Sequence, residues 1–158
     1  MDFSNLDLAH ALLLAAHEAA IESVDRGLHP FGAVLAGPDG AILMRQGNEG
    51  TVRHAETELA RKASEKYDPD FLWQCCLATT FEPCAMCAGT IYWSIIGSLV
   101  YGVDEATLLE LTGNNPANPT LSLPCRTVFA AGQKDNKIFG PYPELEKTLV
   151  APHLKHWN

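Results

Sequence analysis

Two short segments constrain this chain more than anything else in it: His54-Ala-Glu56 and, thirty positions on, Pro83-Cys84-Ala-Met-Cys87. Each falls at the predicted start of a helix, and the second follows a predicted strand. Two cysteines three apart on a first helical turn and an imidazole from a neighbouring helix end can converge on one tetrahedral ion, and thiolate with imidazole suits zinc. Helix N-termini also favour the thiolate form, because aligned peptide dipoles place partial positive charge there. A fold that satisfies both segments must bring two helix starts together.

The elements around them follow from periodicity and punctuation. Ser4 with Asp7 reads as a capping pair, apolar Leu8, Leu12, Ala15, Ala16 and Ala19 follow at helical spacing, and Gly27 supplies a stop. Phe31–Ala36 and Ala41–Met44 flank Gly37-Pro-Asp-Gly40 as a hairpin. A second helix is predicted over His54–Tyr67, ended by Pro69, with Ala55, Leu59, Ala60 and Ala63 on its apolar side. Cys75–Thr80 reads as a buried strand, and Pro83 opens a helix to about Ile95. Leu99–Tyr101 reads as a strand, Asp104 caps a short helix ending at Gly113, and Thr127–Ala131 is predicted as the last strand. A Pro- and Asn-rich loop spans Asn114–Pro124, and Pro143 begins a final amphipathic segment that Pro152 stops. Helices alternating with strands after an initial hairpin predict an α/β fold, a three-layer α/β/α sandwich around a mixed sheet, with residues 1–158 as one domain.

Composition bounds the partners. A net charge of −8, from 11 Lys and Arg against 19 Asp and Glu, works against binding that depends on neutralising many phosphates, so a nucleic-acid substrate is disfavoured. No apolar run approaches the roughly 20 residues that span a bilayer, and the Leu8–Val24 stretch lacks the basic flank of a signal peptide. A cytoplasmic protein is expected. Five cysteines, two of them adjacent at 75 and 76, do not read as a disulfide framework. Cys75, Cys76 and Cys125 read as small buried hydrophobes, or as the residue that closes a structural zinc site.

Ligand count decides the chemistry. Structural zinc normally takes four protein ligands, whereas His54, Cys84 and Cys87 are three and leave a position for water. Glu56 then stands free beside the metal to carry protons between that water, a ring nitrogen and a leaving amino group. The pattern H-x-E followed by P-C-x-x-C is the signature of zinc-dependent deaminases. The chain resembles the cytidine deaminase-like superfamily through its first helix, the Pro30-Phe-Gly-Ala33 hairpin, HAE, EPCAMC and Tyr101-Gly102. Glu82–Gly89 and Ile91-Tyr92-Trp93 resemble the guanine deaminase and nucleoside deaminase branch.

That resemblance implies a five-stranded sheet with its fifth strand parallel to the fourth, one Zn2+ per subunit, and a homodimer, often with exchanged C-terminal segments. It implies Phe31 and Trp93 against the substrate ring, Asn48 hydrogen-bonded at the ring edge, and the Ala55 backbone holding a ring heteroatom. The implied reaction is hydrolytic deamination of a free nucleobase or nucleoside, guanine or a related amino-substituted heterocycle, with a tRNA adenosine deaminase or a non-catalytic zinc module as alternatives. Where guanine deaminases carry an acidic residue, this chain has Asn114-Asn115, which points to other aminated rings as well. His10, His17, His153 and His156 are expected to be solvated or capping, and His29 structural at the pocket rim. Trp157 is expected to be disordered or to close a neighbour's site.

Overall fold

In the computed structural model, which describes residues 1–3, 6–113 and 115–157, the 20-residue helix α1 (Leu6–Asp25) leads into the hairpin β1 (Gly32–Ala36) and β2 (Ile42–Gly47). Ser4 of the expected capping pair lies outside the described residues. There follow α2 (Ala55–Lys66), the short α3 (Pro69–Leu72), β3 (Cys76–Phe81), α4 (Ala85–Trp93), β4 (Ser98–Val103) and α5 (Glu105–Thr112). The chain ends with α6 (Cys125–Ala130), β5 (Lys137–Phe139), a 3-10 turn at Pro143–Leu145, α7 (Glu146–Val150) and α8 (His153–His156). Among the described residues no helix is long and apolar enough to cross a membrane.

The five strands lie in the order β2-β1-β3-β4-β5. β1 is antiparallel to both β2 and β3, whereas β3, β4 and β5 run parallel, so the sheet is mixed as expected. β1 and β3 are buried throughout, as a central strand covered on both faces must be. Alternation then sorts their side chains. Val34, Ala36 and Ala78 pack against Ala9, Leu12, Leu13 and Ala16 of α1. Ala33, Leu35 and Leu77 face Leu59 and Ala63 of α2, Ile91 of α4 and Phe129 of α6. These are the two helical layers of the sandwich. Gly32 and Gly47 are paired across β1 and β2, and α1 lies directly on the pair: a Cβ at Gly32 would collide with the Ala16 carbonyl.

Two expectations are corrected. Thr127–Ala131 is not a strand. Pro124 opens a helix there, and Cys125, Val128 and Phe129 fall at helical spacing and pack into the core beside α4. The fifth strand is Lys137–Phe139, parallel to β4 with Ser98 opposite Lys137. Pro69 likewise opens α3; α2 has already ended at Tyr67, which is extended at φ −122° and ψ 148°. By contrast, Asp104 caps α5 by accepting the Thr107 N–H at 2.8 Å, and Gly113 ends that helix at φ +54°.

Candidate active site

The metal-capable residues sit where two helices begin. His54 is the residue before α2 and Cys84 the residue before α4, both with extended backbone, and Cys87 is the third residue of α4. Their donor atoms form a triangle: Cys84 Sγ to Cys87 Sγ 3.6 Å, His54 Nδ1 to Cys84 Sγ 3.7 Å, and His54 Nδ1 to Cys87 Sγ 3.4 Å. With Zn–S near 2.3 Å and Zn–N near 2.0–2.1 Å, a tetrahedral site requires S···S of about 3.8 Å and S···N of about 3.5 Å. The triangle fits zinc through Nδ1. Among the described residues no fourth Cys, His or carboxylate joins the set, and Cys75, Cys76 and Cys125 are buried elsewhere in the core. The closed structural site is therefore not built.

The hydrogen bond between the two sulfurs lowers the Cys84 thiol to about 4 and pushes Cys87 above the ordinary thiol range, which favours Cys84 as the thiolate of the pair. The Thr57 hydroxyl lies 3.2 Å from Cys87 Sγ.

Glu56, one turn-position after His54, is only 5% exposed. Its Oε1 accepts the Thr79 hydroxyl at 2.6 Å, and its Oε2 lies 3.6 Å from Cys87 Sγ. Burial raises its carboxyl above the usual range, and the Thr79 hydrogen bond opposes that shift. Thr79 comes from the middle of β3, so a strand position sets the orientation of the acid on α2.

A cavity of about 230 Å³ opens onto this set. His54, Glu56 and Cys84 form one part of its wall, Phe31 and Phe81 another, and Glu105 and Leu108 of α5 with residues 117–121 a third; His29, Thr51, Glu82 and Met86 complete it. Phe31 meets Phe81 edge-on at 5.8 Å. No Lys or Arg is on the wall.

The implied substrate contacts divide. Phe31 lines the cavity. Asn48 and Ala55 are buried, but neither is on its wall: the Asn48 N–H donates to the Phe31 carbonyl at 3.0 Å, and its own carbonyl accepts the Ser23 hydroxyl at 3.3 Å. Trp93 is not on the wall either. It ends α4, eight residues or about 12 Å along the helix from the turn that starts at the metal, and is 77% exposed with Lys134 over its ring. It does not line this chain's cavity. His153 is corrected from a solvated residue to a buried one, packed on Phe31 and Phe81 and accepting the Trp157 indole N–H at Nδ1. Burial holds His153 down at about 3. His29 lines the cavity and stacks edge-on against Trp157, which thus lies on its own chain. Asn115 donates from Nδ2 to the Trp157 carbonyl at 3.0 Å; Asn114 lies outside the described residues.

Three further residues take roles that the linear sequence did not assign to them. Glu82 Oε2 accepts the first N–H of α5, at Glu105, and Oε1 the first N–H of α6, at Cys125. Glu105 contributes a second buried acid to the cavity wall, and Thr79 reads as one more strand residue. A hydroxyl in an otherwise apolar strand was the one available clue for Thr79.

Comparison with known proteins agrees with this arrangement. Residues 7–103 match the family described as the cytidine and deoxycytidylate deaminase zinc-binding region. The probable cytosine deaminase of Schizosaccharomyces pombe is 32% identical over 99% of this chain and 96% of its own length. Guanine deaminase of Bacillus subtilis is 37% identical over 58% of this chain and 62% of its own. A solved structure from work on A-to-I editing by tRNA:A34 deaminases shares the fold, with a TM-score of 0.64 at 24% identity over 92% of this chain and 99% of the other. With the metal triangle, the adjoining acid and the mixed sheet in place, the chain belongs to the zinc-binding deaminases of the cytidine and deoxycytidylate family, enzymes that cleave C–N bonds hydrolytically.

Proposed function

We propose that this deaminase acts on a free nucleobase, with cytosine the first substrate to test and guanine the second. The observation that carries the reading is the small cavity beside the metal triangle and Glu56, about 230 Å³ and without a cation on its wall. That is below the roughly 300–1,000 Å³ of sites for drug-sized ligands, which suits one ring. A flipped nucleotide of an RNA would bring phosphates, and neither the wall nor the net charge of −8 offers them a counter-charge. Cytosine comes first because the Schizosaccharomyces pombe relative matches along nearly the whole chain. Guanine follows from the Bacillus subtilis relative, whose match is shorter.

In the reaction the oxygen of water bonds to the amino-bearing carbon, the C–N bond breaks, and ammonia leaves. When bound by His54, Cys84 and Cys87, zinc supplies the Lewis acidity that lowers a water's pKa from about 16 toward 7. Glu56 moves the protons: its buried carboxylate takes one from the attacking water, delivers it to the ring nitrogen beside the reacting carbon, and passes a proton to the departing amine. The Thr79 hydroxyl holds Oε1 so that the other oxygen faces the reacting atoms. Phe31 and Phe81 offer the ring apolar surface and exclude water.

The test is ammonia release by the zinc-loaded protein across free bases, nucleosides and a tRNA anticodon stem-loop. Turnover of a free base is expected; activity on the RNA alone would contradict the reading. The homodimer and the cytoplasmic location belong to the same proposal, and sedimentation of the zinc-loaded protein tests the first.

A further inference from the structure

Three carboxyl groups line the cavity: Glu56, Glu82 and Glu105. Two have partners that explain their placement. Glu56 holds the Thr79 hydroxyl beside the metal set, and both oxygens of Glu82 are taken by the starts of α5 and α6. Glu105 differs. It is 6% exposed and stands on the wall with Leu108, and no Lys or Arg pairs with it among the ion pairs of the described residues. The Leu123 backbone N–H lies near enough to favour its charged form, but that N–H itself donates to the Leu121 carbonyl at 3.0 Å. Burial, with Glu82 nearby, holds its carboxyl up at about 7.

We propose that Glu105 selects free bases over nucleosides: its buried carboxylate on the cavity wall accepts a ring N–H on the substrate edge that points away from the metal set. The inference rests on the free-base reading above and adds how the site reads its ligand. In cytosine that N–H is N1, across the ring from the amino-bearing C4. A nucleoside carries its sugar on the same nitrogen and offers no donor. Purines repeat the pattern in the five-membered ring. A wrong ring leaves a buried acceptor unpaired, and that penalty is what makes a polar wall selective.

The experiment is calorimetric binding of cytosine, 1-methylcytosine, guanine and 9-methylguanine to the zinc-loaded protein and to Glu105→Gln, with ammonia release measured in parallel. In the variant a neutral amide replaces the charged acceptor that faces the ring N–H. Affinity for the unmethylated bases should fall about 10- to 100-fold while the methylated ones change by less than about 3-fold, with zinc content and cooperative melting retained. Equal changes within a pair, no change in either, or no binding of any of these rings by the unsubstituted protein each overturn the assignment. Base turnover that is indifferent to Glu105 sinks this role and leaves the free-base reading standing. A methylation-dependent loss of binding without turnover does the reverse.

Discussion

Replacing Glu82 with Gln should cost roughly 2–4 kcal/mol of folding stability, far more than a half-buried loop residue ordinarily does. Its two oxygens accept the Glu105 N–H at 2.9 Å and the Cys125 N–H at 2.8 Å, the first donors of α5 and α6. An amide has one oxygen, so Gln keeps one of these bonds and turns an NH2 group toward the other donor. The lost charge-assisted bond is worth about 1.5–3 kcal/mol. Removing the negative charge from the helix start that keeps its bond adds about 0.3–1 kcal/mol. At this chain length each kcal/mol moves the melting temperature by about 2–4 °C, so a drop of roughly 5–15 °C is expected. Calorimetric melts of the zinc-loaded protein and of the variant, with zinc content measured, are the assay. A variant within about 0.5 kcal/mol of the parent, the range of ordinary surface changes, would show that Glu82 does not tie the two helices and refute the reasoning.

Thr79→Val removes the hydroxyl that orients Glu56. A hydrogen bond to a charged group is worth about 1.5–3 kcal/mol, so kcat should fall about 10- to 100-fold with KM little changed, as steady-state kinetics will read. For His153, the unfolded chain binds a proton near pH 6.5 but the folded one not until about 3. Stability therefore falls as pH drops through that window, by up to about 1.4 kcal/mol per pH unit. Urea titrations at a series of pH values should show the slope reduced in His153→Gln, which keeps an acceptor for the Trp157 N–H. Stripping zinc with a chelator should abolish turnover and lower the melting temperature, both restored by zinc, because metal binds the folded triangle in preference to the unfolded chain.

Much of the fold was legible because its signals are local. Asp104 and Gly113 bound α5 by their own chemistry, and the turn at Gly37–Gly40 marks the hairpin. His54, Cys84 and Cys87 were legible because few other arrangements make use of those residue types at helix starts. Thr127–Ala131 was misread because a short run of β-branched and aromatic residues fits either period, and the arbiter, the start of a helix at Pro124 held by Glu82, is a contact across 43 positions. Glu105 was invisible for a related reason: an acid after a helix cap is ordinarily a solvated first-turn residue, whereas here it shares a cavity wall with residues 117–121, which return to it from beyond α5. Trp93 was named through the resemblance alone, and at the end of α4 it is exposed in this chain. His153 became a core residue because the C-terminal helices fold back over Phe31 and Phe81, a docking that no local pattern announces.

The central claim is that one zinc held by His54, Cys84 and Cys87 works with Glu56 as the proton carrier. It is tested most directly by measuring bound zinc and ammonia release together in the parent protein and in Glu56→Gln. The account predicts one zinc per chain in both, turnover of a free base in the parent, and a loss of at least about 1,000-fold in the variant. Turnover that survives the substitution, or a protein that binds zinc and releases ammonia from none of the substrates, would contradict it.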